Sequence, residues 1–247
     1  MAVSPRPGRS GDVDDQGLLE LRYPAAVLID FYDTLVHARP DGPFYRAVPT
    51  ALGVDRDLWL ACYRDLGRAA MLGIVPDLTT RVWIACQNAG YPVDRDTVSA
   101  VVREHVASFY SGVRLDQHAV RALDALRTAG LRLAVVSNAA SASGQLLDVL
   151  GLRARVDTVV MSFSLGVLKP DPRIYRTALD ALGVSPADAV FVGDGGDCEL
   201  LGARRLGLRT VLIDRGLPHT EASRADADRV CADLDGAVRV LLANDAG

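Results

Sequence analysis

Short apolar runs that alternate with helical segments constrain the fold of this chain more than any other feature of its sequence. The runs contain four to six residues, many of them β-branched, which is typical of strands buried on both faces. They are 25–29, 131–136, 158–161, 189–192 and 210–213. From residue 117 onward a helical pattern separates each run from the next. Strands that alternate with helices indicate a doubly wound α/β fold around a parallel sheet.

The segment 39–112 lacks any strand pattern and interrupts this alternation. Its apolar residues recur at spacings of three and four, and glycine and proline residues punctuate them, which predicts several amphipathic helices. We therefore predict a helical cap at 39–112, inserted into an α/β core formed by 22–38 and 113–247. Residues 1–21 are polar and rich in glycine, proline and aspartate, and we predict a flexible N-terminal tail.

Polar residues follow four of the predicted strands. They are Asp30, the pair Ser137 and Asn138, Asp194 and Asp214. In an open parallel α/β sheet, ligands bind beyond the carboxyl ends of the strands. The sequence therefore predicts a binding site at that edge of the sheet.

Charge balance at this edge indicates the chemistry. Asp30, Asp194 and Glu199 would place like charges close together, and a cation relieves such repulsion. Oxygen ligands favour Mg²⁺, which commonly binds one or two carboxylates together with a phosphate. Lys169 adds a fixed positive charge, and Ser137 and Asn138 add neutral hydrogen-bond donors. This set suits a phosphoryl group that a nucleophilic aspartate attacks to form an aspartyl-phosphate.

Four short segments contain these polar residues, namely 30–35 (DFYDTL), 135–138 (VVSN), 168–172 (LKPDP) and 192–203 (VGDGGDCELLGA). In this order they resemble the four motifs of the haloacid dehalogenase-like (HAD) hydrolases. The resemblance implies a hydrolase with a Rossmann-like core and a helical cap of the C1 type. By position, it makes Asp30 the nucleophile. It also implies that the Tyr32 backbone carbonyl and the Asp194 carboxylate bind Mg²⁺, while Ser137 and Lys169 hold the phosphoryl group.

Two residues depart from the pattern of the family's phosphatases. Tyr32 stands where those enzymes carry an aspartate as general acid and base, and an unperturbed tyrosine has a pKa of about 10. Losing that group costs ~10²–10⁴-fold on a poor leaving group. Asp33 is adjacent, but we expect an extended strand to turn its side chain away. Glu199 replaces the usual aspartate and keeps its charge, so we expect it to reach the metal through a water.

The predicted function is a Mg²⁺-dependent phosphatase acting on a small phosphorylated metabolite. An alternative is a metal-independent 2-haloacid dehalogenase, because that branch of the family carries tyrosine at the position of Tyr32. The dehalogenases replace the acidic fourth motif with serine and asparagine, whereas Asp194, Asp197 and Glu199 here would repel a haloacid carboxylate. A catalytically weakened domain that binds a phosphorylated ligand is a third possibility. Asp197 itself is expected only to begin a helix.

Composition narrows the choice of partners. The 247 residues carry a net charge of -4 and 49% apolar residues, so we expect no nucleic-acid partner. No apolar run approaches the ~18–20 residues needed to cross a bilayer, so we expect no membrane partner. Four cysteines without a C-x-x-C pair fit reduced thiols and a cytoplasmic protein. The sequence does not indicate the oligomeric state of the protein.

Arginines in the predicted cap leave two interpretations open. Arg39, Arg46 and Arg64 either meet an anionic substrate or are simply solvated. Nothing in their spacing separates these alternatives.

Overall fold

A computed structural model describes residues 23–39 and 41–243, which form two sheets and their flanking helices. In chain order, the strands are β1 (Ala26–Ile29), β2 (Val36–Ala38), β3 (Val113–Leu115), β4 (Arg132–Ser137), β5 (Thr158–Met161), β6 (Ala189–Gly193), β7 (Arg209–Ile213) and β8 (Arg229–Cys231). The helices are α1 (Phe44–Leu52), α2 (Arg56–Asp65), α3 (Gly67–Met71), α4 (Leu78–Asn88), α5 (Arg95–Ser111), α6 (Ala119–Thr128), α7 (Ala142–Val149), α8 (Ser162–Leu165), α9 (Pro172–Leu182), α10 (Glu199–Leu206), α11 (Pro218–Ser223) and α12 (Leu234–Leu242).

The main sheet has six strands in the order β5-β4-β1-β6-β7-β8, and every neighbouring pair is parallel. β1 occupies an inner position and is covered on both faces. Val27 and Ile29 belong to one hydrophobic cluster, whereas Ala26 and Leu28 belong to another. This alternation follows from the period of two in a strand, and it confirms the predicted Rossmann-like, doubly wound α/β fold.

Local sequence signals fix the ends of α9, which follows the loop that carries Lys169. The Asp171 side chain accepts a hydrogen bond of 2.9 Å from the Arg173 amide, and Pro172 begins the helix. Both are favoured at a helix N-terminus. Gly183 ends the helix with a φ of 64°, a left-handed conformation that glycine adopts at little cost.

Helices α1 to α5 lie between β2 and β3, in agreement with the predicted helical segment. They share a hydrophobic cluster of their own, which includes Phe44, Val48, Trp59, Val82 and Val98. This separate cluster supports the division into a cap at 39–112 and a core at 22–38 and 113–247, which stays a prediction. The predicted tail at 1–21 lies outside the described residues.

A two-stranded antiparallel ribbon of β2 and β3 joins the helical segment to the core, and the sequence did not predict it. Asp116 ties this ribbon to the core. Its amide donates to the Leu35 carbonyl at 2.9 Å, and its Oδ1 accepts from the His118 amide at 2.9 Å. Its Oδ2 lies 3.1 Å from His37 Nε2 and 2.8 Å from the Arg215 guanidinium. The sequence did not reveal the ribbon because β2 and β3 have three residues each, too few to establish the alternation of apolar and polar residues that is typical of a strand.

The last predicted strand, at 228–230, is observed one residue later as β8. Among the helices of the described residues, none combines the length and the apolar character that a membrane span requires.

Candidate active site

An acidic cavity of about 400 Å³ lies at the carboxyl edge of the main sheet. The catalytic, phosphate-binding and metal-binding residues predicted from the four motifs all line this cavity. Its lining consists of Asp30, Tyr32, Asp33, Ser137, Asn138, Lys169, Asp194, Gly196, Asp197, Glu199 and His219.

Sheet topology explains why residues so distant in sequence meet here. Asp30 follows β1, Ser137 ends β4 and Asp194 follows β6, and β1 is paired with both of the other strands. Their carboxyl ends are therefore adjacent. Asp214, which follows β7, does not line the cavity and instead forms an ion pair with Arg224. The structure thus brings together the polar residues after the central strands but not Asp214.

A buried lysine bridges two buried carboxylates at the centre of the cavity. Lys169 Nζ contacts both Asp30 Oδ1 and Glu199 Oε2. Burial raises the pKa of Asp30 to about 6, although Lys169 opposes this rise. Burial also raises the pKa of Glu199 well above its ordinary value. Burial alone would lower the pKa of Lys169, but the two carboxylates outweigh it and raise that pKa. The lysine therefore stays charged at neutral pH.

The absence of a side chain at Gly193 makes room for the longer acid at position 199. A Cβ on Gly193 would lie 2.0 Å from Glu199 Oε1, far inside any allowed contact. That same oxygen accepts a hydrogen bond of 3.0 Å from the Gly195 amide. The Glu199 carboxylate is consequently held between Lys169 and the loop that follows β6.

The oxygen atoms around Lys169 form a donor set that fits Mg²⁺. Asp30, Asp194 and Glu199 each offer a carboxylate oxygen, and these atoms all lie within 4.8 Å of one another. Within the described ranges, no group donates a hydrogen bond to the Tyr32 backbone carbonyl. Three buried carboxylates outnumber one buried lysine, so the cavity has an excess of negative charge. A hard divalent cation would balance this charge.

Ser137 and Asn138 differ in how their polar atoms are used. The Ser137 hydroxyl is buried and has no hydrogen-bond partner among the described residues. A buried hydroxyl without a partner is costly, so this group is suited to contact a bound ligand. Asn138 accepts a hydrogen bond of 2.7 Å from the Lys169 amide and donates one of 2.7 Å to Asp197 Oδ2. Its amide therefore orients the Lys169 loop, and its predicted contact with phosphate stays a prediction.

The Tyr32 side chain forms a wall of the cavity. Its hydroxyl lies 2.9 Å from Ser143 Oγ on α7. Burial raises the pKa of Tyr32 to about 12, although the Ser143 hydrogen bond opposes this rise. The phenol therefore holds its proton throughout the neutral range.

The expectation that Asp33 lies on an extended strand is wrong. Asp33 has a φ of 56°, which is the left-handed region. The chain turns sharply after β1, with hydrogen bonds of 2.9 Å from the Leu35 amide to the Phe31 carbonyl and 2.7 Å from the Asp33 amide to the Val36 carbonyl. This turn places the half-exposed Asp33 at the cavity.

Two further residues line the cavity, although the sequence assigned neither of them a role in the site. Asp197 has a φ of 52° in the loop before α10 and contacts Asn138, so it does more than begin a helix. The glycine pair before Asp197 was the signal for such a turn. His219 is the second residue of α11, and its Nε2 lies 2.8 Å from Asp194 Oδ2. No signal identified His219, because α11 lies beyond the last recognisable motif.

Comparison with known proteins places these features in one family. A family model described as haloacid dehalogenase-like hydrolase matches residues 24–207. Haloacid dehalogenase-like hydrolase domain-containing protein 3 of Mus musculus is 33% identical over 211 residues, which cover 79% of this chain and 84% of that protein. Phosphoserine phosphatase of Thermus thermophilus is 32% identical over 242 residues, which cover 90% and 94%.

The fold agrees with this assignment. The crystal structure of a 2-haloacid dehalogenase from Pseudomonas syringae matches with a TM-score of 0.65 at 23% identity, and the match covers 87% of this chain and 97% of that chain. At this level of identity, the likeness shows a common fold alone. Together with the family match over residues 24–207, it leads to one conclusion: the chain belongs to the haloacid dehalogenase-like hydrolases and is a hydrolase.

Proposed function

We propose that this hydrolase is a Mg²⁺-dependent phosphatase that acts on a small phosphorylated metabolite through a phosphoryl group carried on Asp30. The observation that carries the proposal is the buried group of Asp30, Asp194 and Glu199 around a single lysine. Its excess negative charge suits a divalent cation together with a phosphate dianion. The same charge would repel the carboxylate of a haloacid in a site without metal. Similarity to a phosphoserine phosphatase supports this choice.

Each residue of the site has a role in the proposed reaction. An Asp30 oxygen attacks phosphorus, the bond from phosphorus to the alcohol oxygen breaks, and water then cleaves the aspartyl-phosphate. Lys169 holds Asp30 in place, and Ser137 donates a hydrogen bond to a phosphoryl oxygen. Asp30, Asp194 and the Tyr32 carbonyl would hold Mg²⁺, with Glu199 acting through a water. The cation would neutralise negative charge on the phosphoryl group.

Protonation of the leaving group is the weak point of this site. With a pKa of about 12, Tyr32 does not exchange protons efficiently at neutral pH. We therefore propose that esters of acidic alcohols, whose alkoxides leave without a proton, react faster here than esters of simple alkyl alcohols.

The test is phosphate release from a panel of phosphorylated metabolites, with Mg²⁺ and with a chelator. We expect release that requires Mg²⁺ and falls at least ~10³-fold in Asp30→Asn, as expected for loss of a covalent nucleophile. Asp214→Asn is the matched control, because Asp214 also follows a strand but lies outside the cavity. It should keep wild-type activity.

A dehalogenase remains the second candidate, because Tyr32 occupies the position that is tyrosine in that branch. Halide release from 2-chloropropionate in the presence of chelator, without phosphate release from any ester, would replace the phosphatase proposal. Turnover of neither substrate class, combined with binding of a phosphorylated ligand, would instead favour a domain that binds without catalysis.

A further inference from the structure

A second cavity, of about 240 Å³, lies between the helical segment and the core. It shares Tyr32 and Asn138 with the acidic cavity, so the two are neighbours. Aromatic rings provide much of its wall, namely Tyr32, Phe44, Tyr45, Tyr63 and Phe109. A phosphate ester bound at Asp30 would extend its alcohol part into this space.

Arg81 of α4 projects a fixed guanidinium into the second cavity. Its Nε and Nη2 donate to the Tyr63 carbonyl at 3.1 and 2.8 Å. The guanidinium carbon also lies 3.8 Å from the centre of the Tyr63 ring, in a cation–π contact. The side chain is half-buried. Its orientation is therefore set before any ligand binds.

No charged partner accounts for Arg81 in the part of the chain that the structure describes. It forms no ion pair with a described carboxylate, and no described group accepts a hydrogen bond from its Nη1. Arg39 also lines the cavity, but it is exposed to solvent. Among the described residues, the lining includes these two arginines and neither aspartate nor glutamate.

The other arginines of the segment either form an ion pair or are exposed to solvent. Arg46 pairs with Asp41 at 3.0 Å outside the second cavity, and Arg56 pairs with Asp57 at 2.8 Å. Arg64, like Arg46, does not line the second cavity. A cation that is partly removed from water and left unpaired is unfavourable. The missing negative charge is thus expected on a ligand.

We infer that Arg81 binds a carboxylate on the alcohol part of the substrate, so that the substrate is the phosphate monoester of a small hydroxy acid. A planar guanidinium fork matches a carboxylate with two parallel hydrogen bonds. This inference rests on the proposed phosphatase function and adds the class of substrate.

The test compares kcat/KM for 2-phosphoglycolate and ethyl phosphate, which differ in the carboxylate. In Arg81→Gln, kcat/KM for 2-phosphoglycolate should fall roughly 10- to 100-fold, the usual value of a hydrogen bond between charged groups. The loss should appear mainly in KM. For ethyl phosphate, the same variant should stay within about 3-fold of wild type. Arg81→Lys keeps the charge without the fork, and its loss should be intermediate.

Arg103→Gln is the matched control, since Arg103 is an exposed arginine of α5 outside the second cavity. It should change neither value. An equal loss on both substrates in Arg81→Gln would show a structural role and overturn the inference, as would no loss on either. Wild-type activity on other phosphate esters but not on 2-phosphoglycolate would overturn it and leave the phosphatase proposal intact. Absence of phosphate release from every ester would instead remove the phosphatase proposal, and the inference with it.

Discussion

In the phosphatases of this family, the residue at the position of Tyr32 binds the metal through its backbone carbonyl and exchanges a proton through its side chain. The Tyr32 backbone carbonyl accepts no hydrogen bond from the described groups, whereas the Tyr32 phenol is buried against Ser143. The proposed metal ligand belongs to the backbone and is therefore kept, whereas a side chain that exchanges protons near neutral pH is absent. We therefore expect substitutions of this side chain to alter proton transfer more than metal binding.

We predict that Tyr32→Asp raises kcat for ethyl phosphate by ~10²-fold, because it restores a group that exchanges protons near neutral pH. The rate for p-nitrophenyl phosphate should change little, since p-nitrophenolate leaves without a proton. Steady-state phosphate release from both esters measures the difference. Tyr32→Phe removes only the hydroxyl and should not reproduce the gain. Equal rates for Tyr32→Asp and wild type on ethyl phosphate would contradict this account.

Lys169 also holds two buried acids together, and its removal should affect stability. Lys169→Met leaves Asp30 and Glu199 facing each other without a cation. We expect the free energy of unfolding at neutral pH to fall by about 3–5 kcal/mol, the usual cost of breaking a buried ion pair. Urea unfolding without added metal measures it. Adding Glu199→Gln to Lys169→Met should recover part of the lost free energy of unfolding. If Lys169→Met and the double variant were equally stable, that result would argue against the lysine bridge.

Among the elements, the ribbon of β2 and β3 controls how the helical segment joins the core. Asp116 connects this ribbon to the loop after β7 through Arg215. Burial would raise the pKa of Asp116, but hydrogen bonds from the His118 amide and His37, together with Arg215, lower it. A lowered pKa means that the ionised carboxylate stabilises the folded state.

Asp116→Asn should therefore lower the free energy of unfolding at pH 7 by about 1–3 kcal/mol, the usual value for losing hydrogen bonds to a charged group. The stabilisation is fully present above the ordinary pKa of 3.8. It is lost as the pH falls through the lower pKa of the folded protein. The difference in free energy of unfolding between Asp116→Asn and wild type, measured by urea unfolding, should consequently shrink below about pH 4.

Asp41→Asn, which breaks an exposed pair with Arg46, is the control and should cost at most about 1 kcal/mol. A difference that stays constant down to pH 3 would contradict the assignment.

Elements with long, regular patterns were predictable from the sequence. The strand that precedes Asp30 was visible because five successive apolar residues end at a polar one, and α9 was visible because of Pro172 and Gly183. The ribbon of β2 and β3 was not predictable, since each of its strands has only three residues, too few to establish an alternation of apolar and polar residues. The cavity position of Asp33 depends on a left-handed turn that the extended-strand assumption excluded.

Contacts across the fold were less predictable than the site motifs. His219 reaches Asp194 from a helix beyond the last motif. Arg81 has the sequence pattern of any charged residue on an amphipathic helix. Only the three-dimensional structure shows that its guanidinium is held by Tyr63 inside a cavity.

For the molecule as a whole, metal binding and stability should be coupled. A cation that binds only the folded protein stabilises it by about 2.7 kcal/mol at one hundred times its dissociation constant. For a chain of this length, this corresponds to a rise in Tm of roughly 5–10 °C. We expect Mg²⁺ to produce such a rise in wild type and in Asp214→Asn, but not in Asp194→Asn. Differential scanning calorimetry measures it without reference to turnover. An equal rise in all three proteins would place the metal elsewhere.

The inner position of β1 has a consequence for the order in which the protein is assembled during translation. β1 is synthesised before the two strands that flank it, because Ala26 pairs with Arg132 and Ala189. Its apolar side chains therefore remain uncovered until β4 and β6 have been made. Such segments attract chaperones and aggregate when synthesis stalls. A chain that terminates before β6 lacks Asp194 and one neighbour of β1, so the acidic cavity forms only after β6 has been synthesised.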